Sequence, residues 1–181
     1  MINQVTKSRI SSLLGQYKEL LLDNPNAIRE IAIAEIPEMV YNSNAIENST
    51  LTLEDTENIL LRDTIKRDQD IREVYEAKNL ARITEYLLED PDQKLDIDLI
   101  LHLHKMLLTG INDDWAGRFR HGKEWVRVGA HVGANPAFVR NLISGIVDEY
   151  NSDDSGYFLD KIAWFHAKFE TIHPFPDGNG R

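Results

Sequence analysis

His173-Pro174-Phe175-Pro176-Asp177-Gly178-Asn179-Gly180-Arg181 puts a histidine, a carboxylate and an arginine into one short stretch. Ile162, Phe165, Phe169 and Ile172 step by three, four and three just before it, the spacing of one helix face. Pro174 biases His173 away from helical backbone, so the helix is expected to end there. Gly178 and Gly180 flank Asn179, and glycine takes backbone conformations that a side chain forbids. Successive N–H groups in such turns can converge into an anion-binding nest. A base, a metal-capable acid, a nest and a guanidinium together point to chemistry on a phosphate. Each part has a plainer reading on its own. A histidine at a helix end can simply bind the last carbonyls, and Asp-Gly or Asn-Gly is a common turn. The complete string is far more specific, and Phe175 within it reads as an apolar anchor for the loop.

Outward from this stretch almost everything reads as helix. Residues 4–22 carry Ile10, Leu13, Leu14 and Tyr17 at helical spacing and stop at Asp23-Asn24-Pro25. Residues 26–40 repeat the pattern, with Pro37 expected to kink or end that helix. Thr52 and Asp55 form a variant capping box for a helix to about Leu61. Residues 70–89 form the longest periodic segment. Asp96 is a good N-cap for 97–109, with Gly110 as a fitting C-cap. Val139, Ile143, Ile146 and Tyr150 mark one more helix. Glu124-Trp125-Val126-Arg127-Val128 breaks the pattern by alternating, with Gly129 and Gly133 behind it, which reads as a short hairpin or flap. His102 and His104 lie two apart on one helix and diverge by about 200°, so they cannot share a metal. His104 is expected to border the core, and His166 to be packed on the last helix. Arg118, Arg120 and Arg127 fit either phosphate or target contacts, or a solvated flap.

The chain has 181 residues and an apolar fraction of 42%, enough for one domain with a real core. Its 20 basic and 30 acidic residues give a net charge of −10, a poor match for nucleic acid. It has no cysteine, which excludes disulfides and thiolate metal sites. Met1 to Leu22 lacks a basic start followed by an apolar run, so no signal peptide is expected. No stretch reaches the ~20 apolar residues of a membrane span. The default expectation is a cytoplasmic protein that binds neither nucleic acid nor membrane.

The string from His173 to Arg181 resembles the active-site motif of the Fic (filamentation induced by cAMP) family, H-x-F-x-[DE]-G-N-G-R-x-x-R, at every specified position except the final arginine. Trp115 to Arg120 and Val126-Arg127-Val128 resemble the family's flap region. The resemblance covers roughly residues 43–181 and implies an all-α domain with a small β-hairpin flap, preceded by a helical extension over 1–42. It also implies transfer of AMP from ATP to a Ser, Thr or Tyr hydroxyl of a protein, with Mg²⁺. His173 resembles the general base, a role that suits an imidazole titrating near neutrality. Asp177 resembles the Mg²⁺ ligand. Gly178, Asn179 and Gly180 resemble the phosphate-binding nest, and Arg181 the phosphate clamp. Trp125, Val126, Arg127 and Val128 are the expected target-binding flap, presenting a strand edge to a peptide.

Ser43-Asn44-Ala45-Ile46-Glu47-Asn48 resembles the family's inhibitory motif, [ST]-x-x-x-E-[GN]. It implies an inhibitory helix at about 43–48, with Ser43 and Glu47 as its marked residues and Glu47 reaching the site. The local alternative is that Ser43 or Asn44 caps a short helix with Glu47 in its first turn. The second motif arginine would lie three residues beyond Arg181, so the 181-residue chain is expected to be a C-terminally incomplete piece. Three alternatives stay open at this point: AMP addition, AMP removal, or an inactive binding or oligomerisation module. Self-modification fits the first of these, and a homo-oligomer fits any of them.

Overall fold

The structure is a computed structural model that describes residues 2–152 and 156–181. It divides into two compact units, Met1–Ile36 and Pro37–Arg181. The first unit is a helical hairpin of α1, Gln4–Asp23, and α2, Pro25–Ala34. Asn3 caps α1 by accepting the Thr6 N–H at 2.9 Å. Pro25 opens α2 at a position where its missing N–H costs nothing. No residue of α1 is buried. Its apolar stripe is helical as the spacing required, yet Leu13 and Tyr17 are exposed.

The second unit begins with α3, Ile36–Ile46, and Pro37 lies in its first turn. Four longer helices follow the capped helix α4: α4 is Leu53–Arg62, α5 Ile71–Glu89, α6 Ile97–Leu108, α7 Val139–Ser152 and α8 Phe158–Ile172. Between α6 and α7 lies an antiparallel hairpin of β1, Arg127–Val128, and β2, His131–Val132, with Arg127 opposite Val132. The all-α architecture with a small hairpin is therefore the observed one.

The boundaries follow local chemistry. Thr52 and Asp55 bond reciprocally, each side chain to the other's backbone N–H at 3.1 Å, which is the capping box read from sequence. Asp70 and Asp96 cap α5 and α6 through the N–H groups of Arg72 and Leu99. Gly110 follows the end of α6 with φ of 74°, in the left-handed region that glycine enters at little cost. The buried Asn79 amide donates to the Leu107 and Thr109 carbonyls and so satisfies that helix end.

Helix α5 packs against α4 and α6, and α7 against α8. Ile100, Phe119, Val139, Ile143, Ile146, Val147, Ile172 and Phe175 form the main core. Phe175 belongs to the motif loop, so the loop is anchored in the same core that holds α6, α7 and α8. Each fully buried side chain of this kind stabilises the fold by about 1.5–3 kcal/mol.

Thr52→Ala removes one half of the α4 capping box. Urea unfolding should show a loss of about 1 kcal/mol, with the slope unchanged. An unchanged midpoint would contradict the capping account.

Candidate functional site

Helix α8 ends at His173, whose φ of 52° and ψ of 67° lie in the left-handed region while its N–H still reaches Phe169 O at 2.8 Å. Pro174 follows and cannot continue the helix. The next residues form a closed loop. The Asn179 side chain accepts the Phe175 N–H at 2.8 Å and donates to the Phe175 carbonyl at 2.9 Å. Its amide is thus a brace within the loop. The Phe175 ring stacks on His104 at 3.6 Å and 7°. Gly178 has φ of 76°, and a Cβ there would meet Leu107 Cδ2 at 2.9 Å, so the loop can lie this close to α6 only with glycine.

His104 also bonds the loop. Its Nδ1 accepts the Gly117 N–H at 3.1 Å, which leaves Nε2–H to donate to the Asp177 carbonyl at 3.1 Å. Burial pushes its pKa down from 6.5 to about 4, against a smaller opposing pull from Asp177.

Glu47 lies just past the C-terminal end of α3, where Asn48 turns the chain with φ of 65°. Ser43 and Asn44 therefore sit in the last turn of a helix that starts at Ile36. This corrects the expectation of a helix confined to about 43–48, and it removes the alternative in which Ser43 or Asn44 opens a helix. Ser43 is half-buried one turn before Glu47. The Glu47 carboxylate crosses to the motif loop, where its Oε1 accepts the Gly180 N–H at 2.8 Å. A Cβ on residue 180 would overlap that same oxygen. The segment after Glu47 is tied to α5 by Glu73, which accepts from the Thr50 N–H at 2.6 Å and the Thr50 hydroxyl at 2.7 Å.

Asp177 and Arg181 meet two charged residues of α5. Arg181 Nη1 lies 2.7 Å from Glu76 Oε1, and its Nη2 lies 3.4 Å from Asp177 Oδ1. Arg72 pairs with Asp177 through Nη2 and with Glu76 through Nε at 2.8 Å. The Gly178 N–H donates to Asp177 Oδ1 at 2.7 Å. Sequence reading missed Arg72 and Glu76. The only signal for them was an i,i+4 pair of opposite charges on an otherwise apolar helix face.

The flap is fastened from beneath by Arg120. Its side chain is 1% exposed and donates to four backbone carbonyls: His173 at 2.7 Å, Glu124 at 2.9 Å, Ala134 at 2.7 Å and Ile172 at 3.0 Å. Burial lowers its pKa, and Glu124 offsets part of that. Arg118 forms a two-toothed pair with Glu124, both contacts at 2.8 Å. That pair, with the His121 N–H, holds the Glu124 carboxyl at about 2. Arg118 and Arg120 are thus neither phosphate ligands nor solvated flap charges in this arrangement. Trp125, Arg127 and Val128 are exposed, and Val126 is half-buried beneath the hairpin.

His173 faces the flap across a cleft of about 280 Å³ that it lines with Val128, His131, Glu170 and Thr171. Its Nδ1 lies 3.6 Å from Glu170 Oε2, beyond hydrogen-bond distance. A neighbouring cleft of about 320 Å³ is lined by Phe165, His166, Gly180 and Arg181 among others. His166 is exposed there, in place of the packed position expected. Among the described residues, no group of three or more His, Cys, Asp or Glu side chains could hold a metal ion by itself. No helix among them is long and apolar enough to cross a membrane.

The helix–loop geometry, the nest and the flap have counterparts in known proteins. Residues 94–181 match the Fic/DOC family. Residues 94–181 form a Fic/DOC family domain. Protein adenylyltransferase fic-1 of Caenorhabditis elegans is 34% identical over 149 residues, covering 78% of this chain and 29% of that protein. Protein adenylyltransferase Fic of Drosophila willistoni is 34% identical over 187 residues, covering 100% of this chain and 37% of that protein. The chain thus spans well under half the length of these relatives. A crystal structure of a Fic family protein from Desulfovibrio desulfuricans superposes with a TM-score of 0.79 at 29% identity, covering 100% of this chain and 55% of that one. Another Fic domain, from Bacteroides thetaiotaomicron, shares the fold with a TM-score of 0.81 at 24% identity.

His104 is neutral in the Fic fold, whereas the unfolded chain takes up its proton near pH 6.5. Stability should therefore fall as pH drops from about 6.5 to about 4, with no further loss from this group below that. In urea unfolding, the wild type should lose about 1–3 kcal/mol more than His104→Gln across that interval. Parallel losses in both proteins would contradict the buried neutral imidazole.

Proposed function

We propose that residues 37–181 form the catalytic domain of a protein adenylyltransferase, held inactive by Glu47. The observation that carries this reading is the 2.8 Å bond from the Gly180 N–H to Glu47 Oε1. It places an anionic oxygen in the nest of the motif loop. A carboxylate there stands in for a phosphate oxygen, and while it stays the phosphate is excluded by volume and by like charge.

With Glu47 withdrawn, the Gly178–Gly180 backbone and Arg181 would hold the ATP phosphates. Arg181 is already aimed, because Glu76 fixes its guanidinium in a site where its side chain is only 4% exposed. His173 would accept the proton of an incoming protein hydroxyl. The hydroxyl oxygen then bonds to the α-phosphorus, the bond to the bridging oxygen breaks, and pyrophosphate leaves. The cleft between His173 and the hairpin would admit that hydroxyl, with the exposed Trp125 to Val128 segment lying alongside the target chain. The short strands leave backbone groups available for an added peptide strand.

Asp177 fits a Mg²⁺ ion. It is a hard oxygen donor beside the nest with 21% of its side chain exposed, and Mg²⁺ commonly takes one or two carboxylates together with substrate phosphates. Bound there, the ion would neutralise phosphate charge; no other carboxylate cluster is needed for it.

The test is incorporation of label from α-labelled ATP into protein. Glu47→Gly should label about tenfold faster than wild type or more, the factor that corresponds to releasing a charge-assisted bond of ~1.5 kcal/mol. Glu47→Gly with His173→Ala should fall by about 10²–10⁴ while still binding ATP. ATP binding with no labelling in any variant would favour a binding module. Undiminished labelling without His173 would reject it as the base.

A further inference from the structure

Asp177 is fully engaged by its neighbours. Its Oδ2 pairs with Arg72, and its Oδ1 takes the Gly178 N–H and the longer contact from Arg181. Arg72, Arg181, Asp177 and Glu76 make a closed set of two cations and two anions. A divalent ion added at Asp177 would bring two positive charges into this balanced set, so one guanidinium must leave.

The two arginines differ in their freedom to do so. Arg181 has 4% of its side chain exposed, whereas Arg72 has 48%. The Arg72 backbone is fixed, because its N–H donates to the Asp70 cap at 2.8 Å. Its Nε is held by Glu76. One rigid guanidinium makes both bonds, so releasing Asp177 also loosens Glu76, but the half-exposed side chain can swing into solvent about its methylene torsions. Arg72 thus has an open path to solvent, and Arg181 has none.

Resting on the reading of Asp177 as a metal ligand, we propose that Arg72 is a cation gate: its guanidinium holds the Asp177 carboxylate closed against free divalent cations and must swing away before the ion binds. The gate acts through charge at the carboxylate and does not touch the reacting atoms. It keeps the site from filling with bare metal before nucleotide arrives.

The test is Mn²⁺ binding to the nucleotide-free chain, read by water-proton relaxation, for wild type, Arg72→Gln, Arg72→Lys and Asp177→Asn. Arg72→Gln should bind Mn²⁺ about three- to tenfold more tightly than wild type, the scale of a partly exposed, charge-assisted pair. Arg72→Lys keeps the cation but loses the fork that also holds Glu76, so its affinity should fall between wild type and Arg72→Gln. Asp177→Asn should lose the site. If Asp177→Asn loses binding but Arg72→Gln gains nothing, the gate is wrong and the metal reading stands. Equal gains in Arg72→Gln and Arg72→Lys would also overturn the gate, because a charge-based block survives lysine. If Asp177→Asn binds as wild type does, the metal reading falls and takes the gate with it; if no variant binds Mn²⁺, the gate falls, because there is no bare-metal binding to hold off, while a metal held together with phosphate still stands.

Discussion

The buried guanidinium of Arg120 is the constraint on which the site's geometry depends. Taking a charge out of water is costly unless its donors are satisfied, and here the donors meet the carbonyls of Ile172, His173, Glu124 and Ala134. Those carbonyls come from the end of α8 and from both sides of the hairpin. The hairpin has only two residues per strand and would not persist alone in water. One cation thus fixes both walls of the cleft around His173. Gly133 makes the close approach possible: a Cβ there would lie 2.9 Å from Arg120 Nη2 and 3.2 Å from His173 Cβ.

The rest of the loop inherits its position from that anchor. Phe175 fills the core and stacks on His104, Asn179 closes the turn around the Phe175 backbone, and Gly178 lets the chain touch α6. The part-buried Gly180 N–H donates to Glu47. The arrangement has two layers of charge. Arg181 and Arg72 are held by Glu76 and Asp177, so the cations are already oriented, while the Gly180 N–H is bonded by an internal anion. An anion that competes for the nest must displace a tethered carboxylate, whose effective concentration is set by the short segment from α3 to Thr50 and by its clamp on Glu73.

The sequence made the helices legible because their signals are local. Thr52 and Asp55, Asp70, Asp96 and Gly110 act within one turn, and spacing reads that scale well. The motif loop was legible because its residues are contiguous. The contacts that explain the site are remote. Gly180 and Glu47 are 133 residues apart, Arg72 and Asp177 are 105 apart, and Arg120 and His173 are 53 apart. No periodicity reports such pairs. Glu47 was reached through resemblance, whereas Arg72 and Glu76 were missed. Arg120 fitted either a phosphate or target contact or a solvated flap charge, because nothing local says that an arginine among glycines is buried. The start of α3 differs for a similar reason: Ser43 and Asn44 look like caps, but the helix already runs from Ile36 and buries Asn44.

The central claim is that the Glu47 carboxylate occupies the amide that would receive a phosphate. The direct measurement is the Gly180 amide resonance in a ¹⁵N–¹H correlation spectrum, for wild type and Glu47→Gly, during titration with pyrophosphate. The account predicts different Gly180 resonances in the two ligand-free proteins. It also predicts that wild type needs about tenfold more pyrophosphate to move that resonance, the ratio expected from one charge-assisted hydrogen bond. Coincident Gly180 resonances in the ligand-free proteins, with a single titration curve for both, would contradict it.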